Sequence, residues 1–486
     1  MSGSRAVGLP SLPPRGLPQP KARALAVARP AIGLGYLIPA LAPPPQRQPA
    51  SRVRAATVDP VALRCVGLAL FAEIFLQKVA VPLSKTTQIS ATLIVGFVAL
   101  GFLVVSGRAV VDTTRFALFA LAMVVLVATQ LIGGEAFSRT SLLLLMATYA
   151  IYVVRLQDRP GTFRASLGLY QTMMAIVAGA AVLQYVAQFR LPADLVFPLE
   201  THLGPLLYQG YNNISPITYG SAIYKSNGVF LGEPSLLSQG MALSFIIERL
   251  FFRRTPFQLA FLAGLVVSYS GTGLLLLLAA APFLIYKTGG LRLLLLLLPI
   301  GLVVLLAGKM LDLGVVANRA GEFSSRDSSG FARFISIFYL LGQYPFADAH
   351  HFLFGMGAGT IEGVMKKVTY LAHDPTWGKL LFEYGLIGAL AFFPYMLTVI
   401  FVGTPSPILA FCLLFAYLFL GGNLLSPFYN FLIAALLAWQ RPELAPAPAR
   451  SRPSTRFADQ VRVPSGGVWQ EWRRGKLAKV PRPCKG

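Results

Sequence analysis

The sequence predicts an all-α polytopic membrane protein with about twelve transmembrane helices, and three observations lead to that prediction. Hydrophobic residues make up 55% of the 486 residues and charged residues only 13%, which is too apolar for a soluble domain. Apolar runs recur that are long enough to cross about 30 Å of hydrocarbon. Basic residues are concentrated in the two ends and in alternate short loops.

The individual spans follow from these apolar runs in chain order. They are predicted at 61–83, 88–106, 115–132, 140–155, 164–187, 235–252, 256–270, 272–287, 290–308, 374–402, 405–421 and 425–440. The small residues from Ser270 to Gly273 predict a tight turn between the seventh and eighth spans. The spans together form a predicted transmembrane domain over residues 61–440, with a large extracytoplasmic loop between helices 9 and 10.

The two ends of the chain, residues 1–60 and 441–486, are basic and rich in proline. They lack the apolar residues needed to fold alone and are predicted to be disordered cytoplasmic extensions. Much of the formal charge of +23 lies there, where it favours contact with anionic lipid over nucleic acid. With both ends cytoplasmic, most loop lysines and arginines fall on the inner side. The long connections 188–234 and 309–372 are then extracytoplasmic.

The loop 309–372 contains arginines that are candidates for phosphate binding. Arg319, Arg326 and Arg333 follow one another at seven-residue spacing, and the planar guanidinium group binds phosphate bidentately. Solvated loop charge or anchoring to lipid headgroups is the alternative role.

Glycines and serines between the arginines argue against one helix through all three. A helix is predicted only over about 330–343, with Ser328 or Ser329 as its cap. Its apolar face is expected to lie on the membrane surface, with Arg333 near the headgroups.

The loop 188–234 ends in a lysine and a glutamate. Lys225 supplies a point charge, and Glu233 precedes Pro234 at the start of a span. A carboxylate at that position complements the helix dipole. Binding of an acceptor sugar is the alternative role for Glu233.

His373 is the candidate general base, because it stands where the outer loop enters the tenth span. An imidazole titrates near neutral pH and accepts a proton from an attacking hydroxyl. A histidine that caps a helix at the membrane interface is the alternative. Asp374 follows it, and Lys379 and Glu383 lie four residues apart inside the span, where they are predicted to neutralise one another.

A metal site is not predicted. The adjacent His350 and His351, with Asp348, lack the helical spacing that points two ligands at one ion. The three cysteines have no metal-ligand spacing either.

The segment Gly355-Met-Gly-Ala-Gly359 has two readings. Its backbone N–H groups are suited to an anion-binding nest. A tight turn that returns the loop to the membrane is the favoured interpretation.

Four segments resemble the bacterial O-antigen ligase and O-antigen polymerase (Wzy-type) superfamily. AHDPTWGKLLFEYGLIG is similar to the family's His-Asn motif followed by a Glu-Gly helix. GFARFISIFYLLGQYPFADAHHFLFGMGAG resembles its Arg, Pro and Gly-x-Gly pattern. NGVFLGEPS resembles a segment of exopolysaccharide polymerases, and SYSGTGLLLLL resembles the small-residue pair of spans. The resemblance covers about 61–440 in the order of spans and loops.

The resemblance implies a multi-pass glycosyltransferase of the bacterial inner membrane that needs no metal, nucleotide sugar or other cofactor. Its expected partners are an undecaprenyl-diphosphate-linked oligosaccharide, an acceptor glycan, membrane lipids, and chain-length regulator and export proteins. By position, His373 would activate the acceptor hydroxyl, and Arg333 with Arg319 or Arg326 would hold the diphosphate. Lys225 would be a further diphosphate-binding cation.

The chain departs from the family pattern at three places. Asp374 replaces the usual Asn, Lys225 stands where an Arg often precedes the Gly-Phe segment, and the span pair at Ser270 lacks the frequent Arg. These departures favour a polysaccharide polymerase over an O-antigen ligase that passes glycan to a lipid acceptor. A flippase or transporter is the alternative from another class, and it predicts charges near the bilayer midplane with broken helices.

The predicted topology is testable by labelling intact cells with a membrane-impermeant thiol reagent. Cys65, Cys412 and Cys484 are first replaced by serine, and single cysteines are then introduced at Ser324 or Ser451. Ser324→Cys should react and Ser451→Cys should not, because the positive-inside rule puts the tail in the cytoplasm. The reverse pattern would overturn the orientation.

Overall fold

The computed structural model describes residues 58–83, 88–133, 137–157, 161–217, 220–288, 326, 328–422 and 424–441, and helices dominate this part of the chain. Six apolar helices of 10–17 residues accompany four that are long and apolar enough to cross a membrane. The four are Thr113–Gly133, Thr162–Ala187, Pro234–Phe252 and Thr376–Phe401. The chain is therefore a mostly helical protein with the apolar helices of a membrane protein, and the count of twelve spans stays a prediction.

The first part of the chain alternates helices with short strands. Its elements are α1 (Pro60–Phe75), β1 (Ala80–Pro82), β2 (Gln88–Ser90), α2 (Ala91–Val105), β3 (Ala109–Val111), α3 (Thr113–Gly133), α4 (Arg139–Ala150), a 3₁₀ turn (Ile151–Val153), β4 (Val154–Leu156), α5 (Thr162–Ala187), α6 (Ala193–Val196), α7 (Pro198–His202) and a 3₁₀ turn (Gly204–Leu206).

The second part contains the remaining described helices. They are α8 (Pro234–Ile247, continued by a π turn over Glu248–Phe252), α9 (Thr255–Val267), α10 (Thr272–Thr288), α11 (Ser329–Phe334), α12 (Ser336–Gln343), a 3₁₀ turn (Pro345–Ala347), α13 (Ala349–Phe354), α14 (Ile361–Met365), α15 (Thr376–Phe401), α16 (Pro407–Phe419) and α17 (Pro427–Ile433, continued by a π turn over Ala434–Ala438).

The predicted spans agree with these helices except at some ends. The predictions 61–83 and 88–106 were too long, because β1 and β2 pair as an antiparallel hairpin between α1 and α2. The Ser90 side chain then caps α2 by accepting the N–H of Thr92 at 3.2 Å. The turn between α9 and α10 is confirmed, with Tyr269 at φ 46°. The predicted span 290–308 and both terminal extensions lie outside the described residues.

Helix α8 lies at the centre of the bundle. All of its residues from Pro234 to Ile247 are buried, and it packs against α5, α9 and α10. Such a helix is stable when other elements cover every side, and its buried Ser238 and Gln239 donate hydrogen bonds to the carbonyls of Ser270 and Leu420. The packing of α8 therefore fixes the position of Glu233, which immediately precedes it.

A buried arginine joins three elements at one end of the bundle. Arg115, near the start of α3, is 2% exposed. Its guanidinium donates to the carbonyls of Tyr152 (3.3 Å), Ala438 (2.6 Å) and Val399 (3.0 Å). These bonds hold the ends of α15 and α17 against α3.

Helix α15 is broken at Gly385, whose φ of 66° and ψ of −173° are not helical. The N–H groups of Met356 and Gly357 donate to the carbonyls of Phe382 (2.8 Å) and Glu383 (3.1 Å). The loop before α15 thus supplies hydrogen-bond donors to carbonyls of the interrupted helix.

The glycine turn before α14 makes these contacts. Gly355, Gly357 and Gly359 have φ values of 85°, 105° and 76°. The prediction of a tight turn is confirmed. The N–H groups of Met356 and Gly357 donate to carbonyls of α15, so they are not available to bind an anion.

The helix predicted over 330–343 is correct in extent but is interrupted at Ile335. Ser328 caps it by accepting the N–H of Phe331 at 3.1 Å. Phe331 and Leu341 of its apolar face are buried inside the protein, whereas Phe338 is 60% exposed. The position of this face on the membrane surface stays a prediction.

Substitution of Gly385 tests the packing of the loop on the broken helix. A β-carbon there would lie 2.4 Å from the carbonyl oxygen of Leu353. The backbone conformation of Gly385 is also adopted essentially only by glycine and costs another residue about 1–3 kcal/mol. Gly385→Ala should lower the thermal unfolding midpoint in detergent. Gly342→Ala is the control, because its β-carbon would meet open space; equal midpoints for the two variants would contradict the contact.

Candidate functional site

A cavity of about 550 Å³ lies where the start of α15 meets the start of α8, α11 and the loop before α8. Both long connections contribute to its walls. The polar residues that line it are Tyr208, Tyr211, Glu233, Ser235, Gln239, Arg333, Glu362, His373, Asp374, Lys379 and Ser426. The cavity therefore gathers polar groups from parts of the chain that are far apart in sequence.

A hydrogen bond fixes the main chain of His373, and the residue lines the cavity. Its main-chain N–H donates to Ser336 Oγ at 3.2 Å, and Ser336 in turn donates to the carbonyl of Ala332 at 2.5 Å. The residue as a whole is partly exposed. Its Nε2 atom, however, is buried and has no hydrogen-bond partner among the described residues.

The surroundings of His373 favour the neutral imidazole. Burial lowers its pKa below the ordinary value of 6.5, and the charge of Asp374 opposes this effect. Arg333 lowers the pKa further and Glu233 raises it. Since the net shift is downward, the ring is neutral at pH 7 and has a nitrogen able to accept a proton.

Arg333 is positioned by contacts from two directions. Its Nη2 lies 3.6 Å from Glu233 Oε2, and its Nη1 donates to the carbonyl of Leu420 at 3.1 Å. Glu233 also accepts the Ser235 hydroxyl at 2.7 Å and the N–H of Asn212 at 3.2 Å. The burial of α8 thus determines where the guanidinium lies. Arg333 lies in the cavity wall, and its location near lipid headgroups stays a prediction.

Lys379 lies among three carboxylates. Its Nζ is 3.1 Å from Glu362 Oε1, 3.2 Å from Asp374 Oδ2 and 3.8 Å from Glu383 Oε1. The predicted pairing with Glu383 is present, but it is the longest of the three contacts. The lysine side chain is only 5% exposed, so its position depends on these partners.

Asp374 is held close to the loop that follows α16. A β-carbon on Gly422 would lie 2.8 Å from Asp374 Oδ1. The absence of a side chain at Gly422 therefore permits the carboxylate to approach the main chain there. Asp374 is thereby placed between His373, its neighbour in sequence, and Lys379.

The structure brings together some of the predicted site residues and separates others. Glu233, Arg333, His373 and Asp374 line the cavity, and Glu383 lies behind Lys379. Arg326 is exposed and does not line it.

Lys225 and Arg319 do not join this group. Lys225 is not among the residues that line the cavity, and its N–H donates to the carbonyl of Ser215 at 2.8 Å. Arg319 lies outside the described residues. Of the four cations predicted to bind diphosphate, only Arg333 is therefore found in this site.

Several residues of the cavity carry no recognisable signal in the sequence. Glu362 lies in the short helix α14, and Tyr208 and Tyr211 lie in irregular loop segments, all without a recognisable motif. Lys379 stands out in the sequence, because a charge inside an apolar helix needs a partner. Local spacing points to Glu383 as that partner and does not indicate Glu362. The two tyrosine rings pack at a centroid distance of 5.1 Å.

Asp348, His350 and His351 lie away from the cavity, yet they are closer together than their spacing predicted. Their ligand atoms all lie within 4.8 Å of one another. Asp348 Oδ2 accepts the N–H of His351 at 3.1 Å and is 2.9 Å from His351 Nδ1. The three side chains thus converge although the histidines lack helical spacing, and the aspartate acts as the cap of α13.

Comparisons of the chain with protein-family models, with curated proteins and with solved structures found no match. The resemblance to O-antigen polymerases and ligases thus depends on the motifs and on their order.

The lowered pKa of His373 predicts a specific loss of stability in acid. The unfolded chain takes up a proton near pH 6.5 while the folded state resists it, so the free energy of unfolding should fall as the pH drops below 6.5. His373→Gln should show a weaker fall between pH 7 and pH 5 in thermal unfolding. The exposed His202 provides the control variant, His202→Gln. The pKa shift would be refuted if His373→Gln and the wild type had the same pH dependence.

Proposed function

We propose that this chain is a polysaccharide polymerase of the O-antigen or exopolysaccharide type. It transfers an oligosaccharide from undecaprenyl diphosphate to a hydroxyl of an acceptor glycan at the periplasmic face of the bacterial inner membrane. The observation that carries the proposal is the cavity at the start of α15. In it, a buried imidazole nitrogen that has no hydrogen-bond partner in the described part of the chain shares the wall with a positioned guanidinium.

The position of the cavity supports a reaction between two amphiphilic substrates. Tyr208 and Glu233 come from the connection 188–234, and Arg333 and Glu362 come from the connection 309–372. Both connections meet at the same end of α15, a helix long enough to cross a membrane. A lipid-linked donor in the bilayer and a glycan in the periplasm would meet at such a place.

The proposed reaction is an inverting displacement. His373 Nε2 accepts the proton of the acceptor hydroxyl while that oxygen attacks the anomeric carbon. The bond from this carbon to the diphosphate oxygen breaks, and undecaprenyl diphosphate leaves with the electron pair. Arg333 stabilises the departing charge through its planar fork. Glu233 and Asp374 accept hydrogen bonds from sugar hydroxyls and orient the acceptor.

A ligase that delivers glycan to a lipid acceptor would use the same chemistry and differ only in its acceptor. The departures of the motifs from the family pattern favour the polymerase. Purified protein distinguishes the two, because a polymerase extends glycan on undecaprenyl diphosphate without an added lipid acceptor.

A flippase for lipid-linked glycan is the second candidate function, and two observations favour it. Helix α15 is broken at Gly385. Glu73 in α1 is completely buried, and its two carboxylate oxygens have no hydrogen-bond partner among the described residues. Broken helices and acids within membrane helices are features of transporters.

Variants of His373 test the proposal with purified protein and lipid-linked repeat units. A general base contributes about 10²- to 10⁴-fold to the rate, so His373→Ala and His373→Gln should lose that factor in turnover. His350→Ala is the control, since His350 lies in α13 and does not line the cavity. Full turnover by His373→Ala would eliminate the general-base role.

The lipid-linked intermediates in a strain without this protein separate the three functions. Loss of a polymerase leaves single repeat units on the outer face, and loss of a ligase leaves long glycan on undecaprenyl diphosphate. Loss of a flippase leaves single repeat units on the inner face, and that result would replace the proposed function by transport.

A further inference from the structure

The cations of the cavity are both engaged by carboxylates of the protein itself. Arg333 contacts Glu233 at 3.6 Å, and Lys379 contacts Glu362 at 3.1 Å and Asp374 at 3.2 Å. Both cations also act on the charge state of His373. A buried ammonium needs anionic partners, because an unpaired charge in a poorly solvated site is strongly unfavourable.

The three carboxylates around Lys379 differ in burial. The side chain of Glu362 is 63% exposed, whereas those of Asp374 and Glu383 are 15% and 0% exposed. Glu362 also belongs to α14, a helix of only five residues. Asp374 and Glu383 are confined by the start of α15. Glu362 is therefore the partner that another anion would replace most readily.

We propose that Lys379 is the second diphosphate-binding cation of the cavity, and that Glu362 occupies the position of a phosphate oxygen when no donor is bound. The inference rests on the proposed function and supplies the cation that Arg319, Arg326 and Lys225 were expected to provide. When the donor binds, the Glu362 carboxylate moves into solvent, and phosphate oxygens take its place on the ammonium.

The energies of the two contacts favour this exchange. Solvent screens the attraction of an exposed carboxylate, and Asp374 and Glu383 stay close to the ammonium, so releasing Glu362 costs little. A diphosphate presents several charged oxygens to Lys379 and Arg333 together, and hydrogen bonds between ions of this kind are among the strongest in proteins. Asp374 and Glu383 remain in place and keep the ammonium directed into the cavity.

The test measures binding of two probes, inorganic pyrophosphate and farnesyl diphosphate, to the purified full-length protein in detergent. Lys379→Gln should weaken both by at least about tenfold, the loss expected for one charge-assisted hydrogen bond. Glu362→Gln should tighten both by about two- to fivefold, because a competing carboxylate has been removed. A purely structural role for the ion pair would not produce this gain.

Two charge-matched controls separate the site from general electrostatics. Lys367→Gln removes an exposed cation five residues from Glu362, and Asp194→Asn removes an exposed carboxylate in α6. Neither residue lines the cavity, and both variants should bind as the wild type does. A similar loss in Lys367→Gln, or a similar gain in Asp194→Asn, would overturn the proposal.

Arg333→Gln distinguishes failure of this inference from failure of the proposed function. Loss of binding in Arg333→Gln with unchanged binding in Lys379→Gln overturns the role of Lys379 and leaves the function standing. If Lys379→Gln loses binding of the probes but the wild type turns over no lipid-linked glycan, the anion-binding role of Lys379 is supported and the proposed function is refuted. A wild type that binds neither probe refutes both.

Discussion

The site depends on hydrogen bonding of backbone groups where α15 is interrupted. Apolar surroundings offer no water to free carbonyl groups, so an interrupted membrane helix is stable only if other parts of the protein supply donors. Met356 and Gly357 donate to the carbonyls of Phe382 and Glu383. The Gln130 side chain also donates to Glu383 at 3.2 Å. These bonds join the loop before α15 to the first half of that helix, which begins just after His373 and contains Lys379.

The charges of the cavity follow from the same arrangement. Because the first half of α15 is fixed, Lys379 is placed within reach of acids from its own helix and from the loop. Arg333 depends in a similar way on Glu233, whose position is set by the burial of α8. Each cation is therefore stabilised by carboxylates in the absence of ligand. Under the proposed function, phosphate oxygens of the donor would find cations in this site and sugar hydroxyls would find carboxylates.

The sequence predicted the helices well and the site in part. Apolar length and the break at Tyr269 are local properties, and the helices agree with them. His373 and Arg333 were predicted because they stand next to a span and in a loop rich in arginine. The contacts of Lys379 with Glu362 and of Arg333 with Glu233 were missed. They join segments that are 17 and 100 residues apart, and such contacts depend on packing that no local pattern records. The hairpin of β1 and β2 was missed because its residues continue the apolar runs of α1 and α2.

The contacts of Arg115 have a consequence for the synthesis of the chain. Its guanidinium enters the apolar interior with α3, yet one of its acceptors, the carbonyl of Ala438, lies 323 residues later in sequence. Until the ribosome has produced α17, the arginine has an incomplete set of partners in a region where charge is costly. The last helix that the structure describes thus completes the set of acceptors that an arginine of the third helix requires. A nascent chain that ends before α17 leaves this buried charge with an unfilled donor.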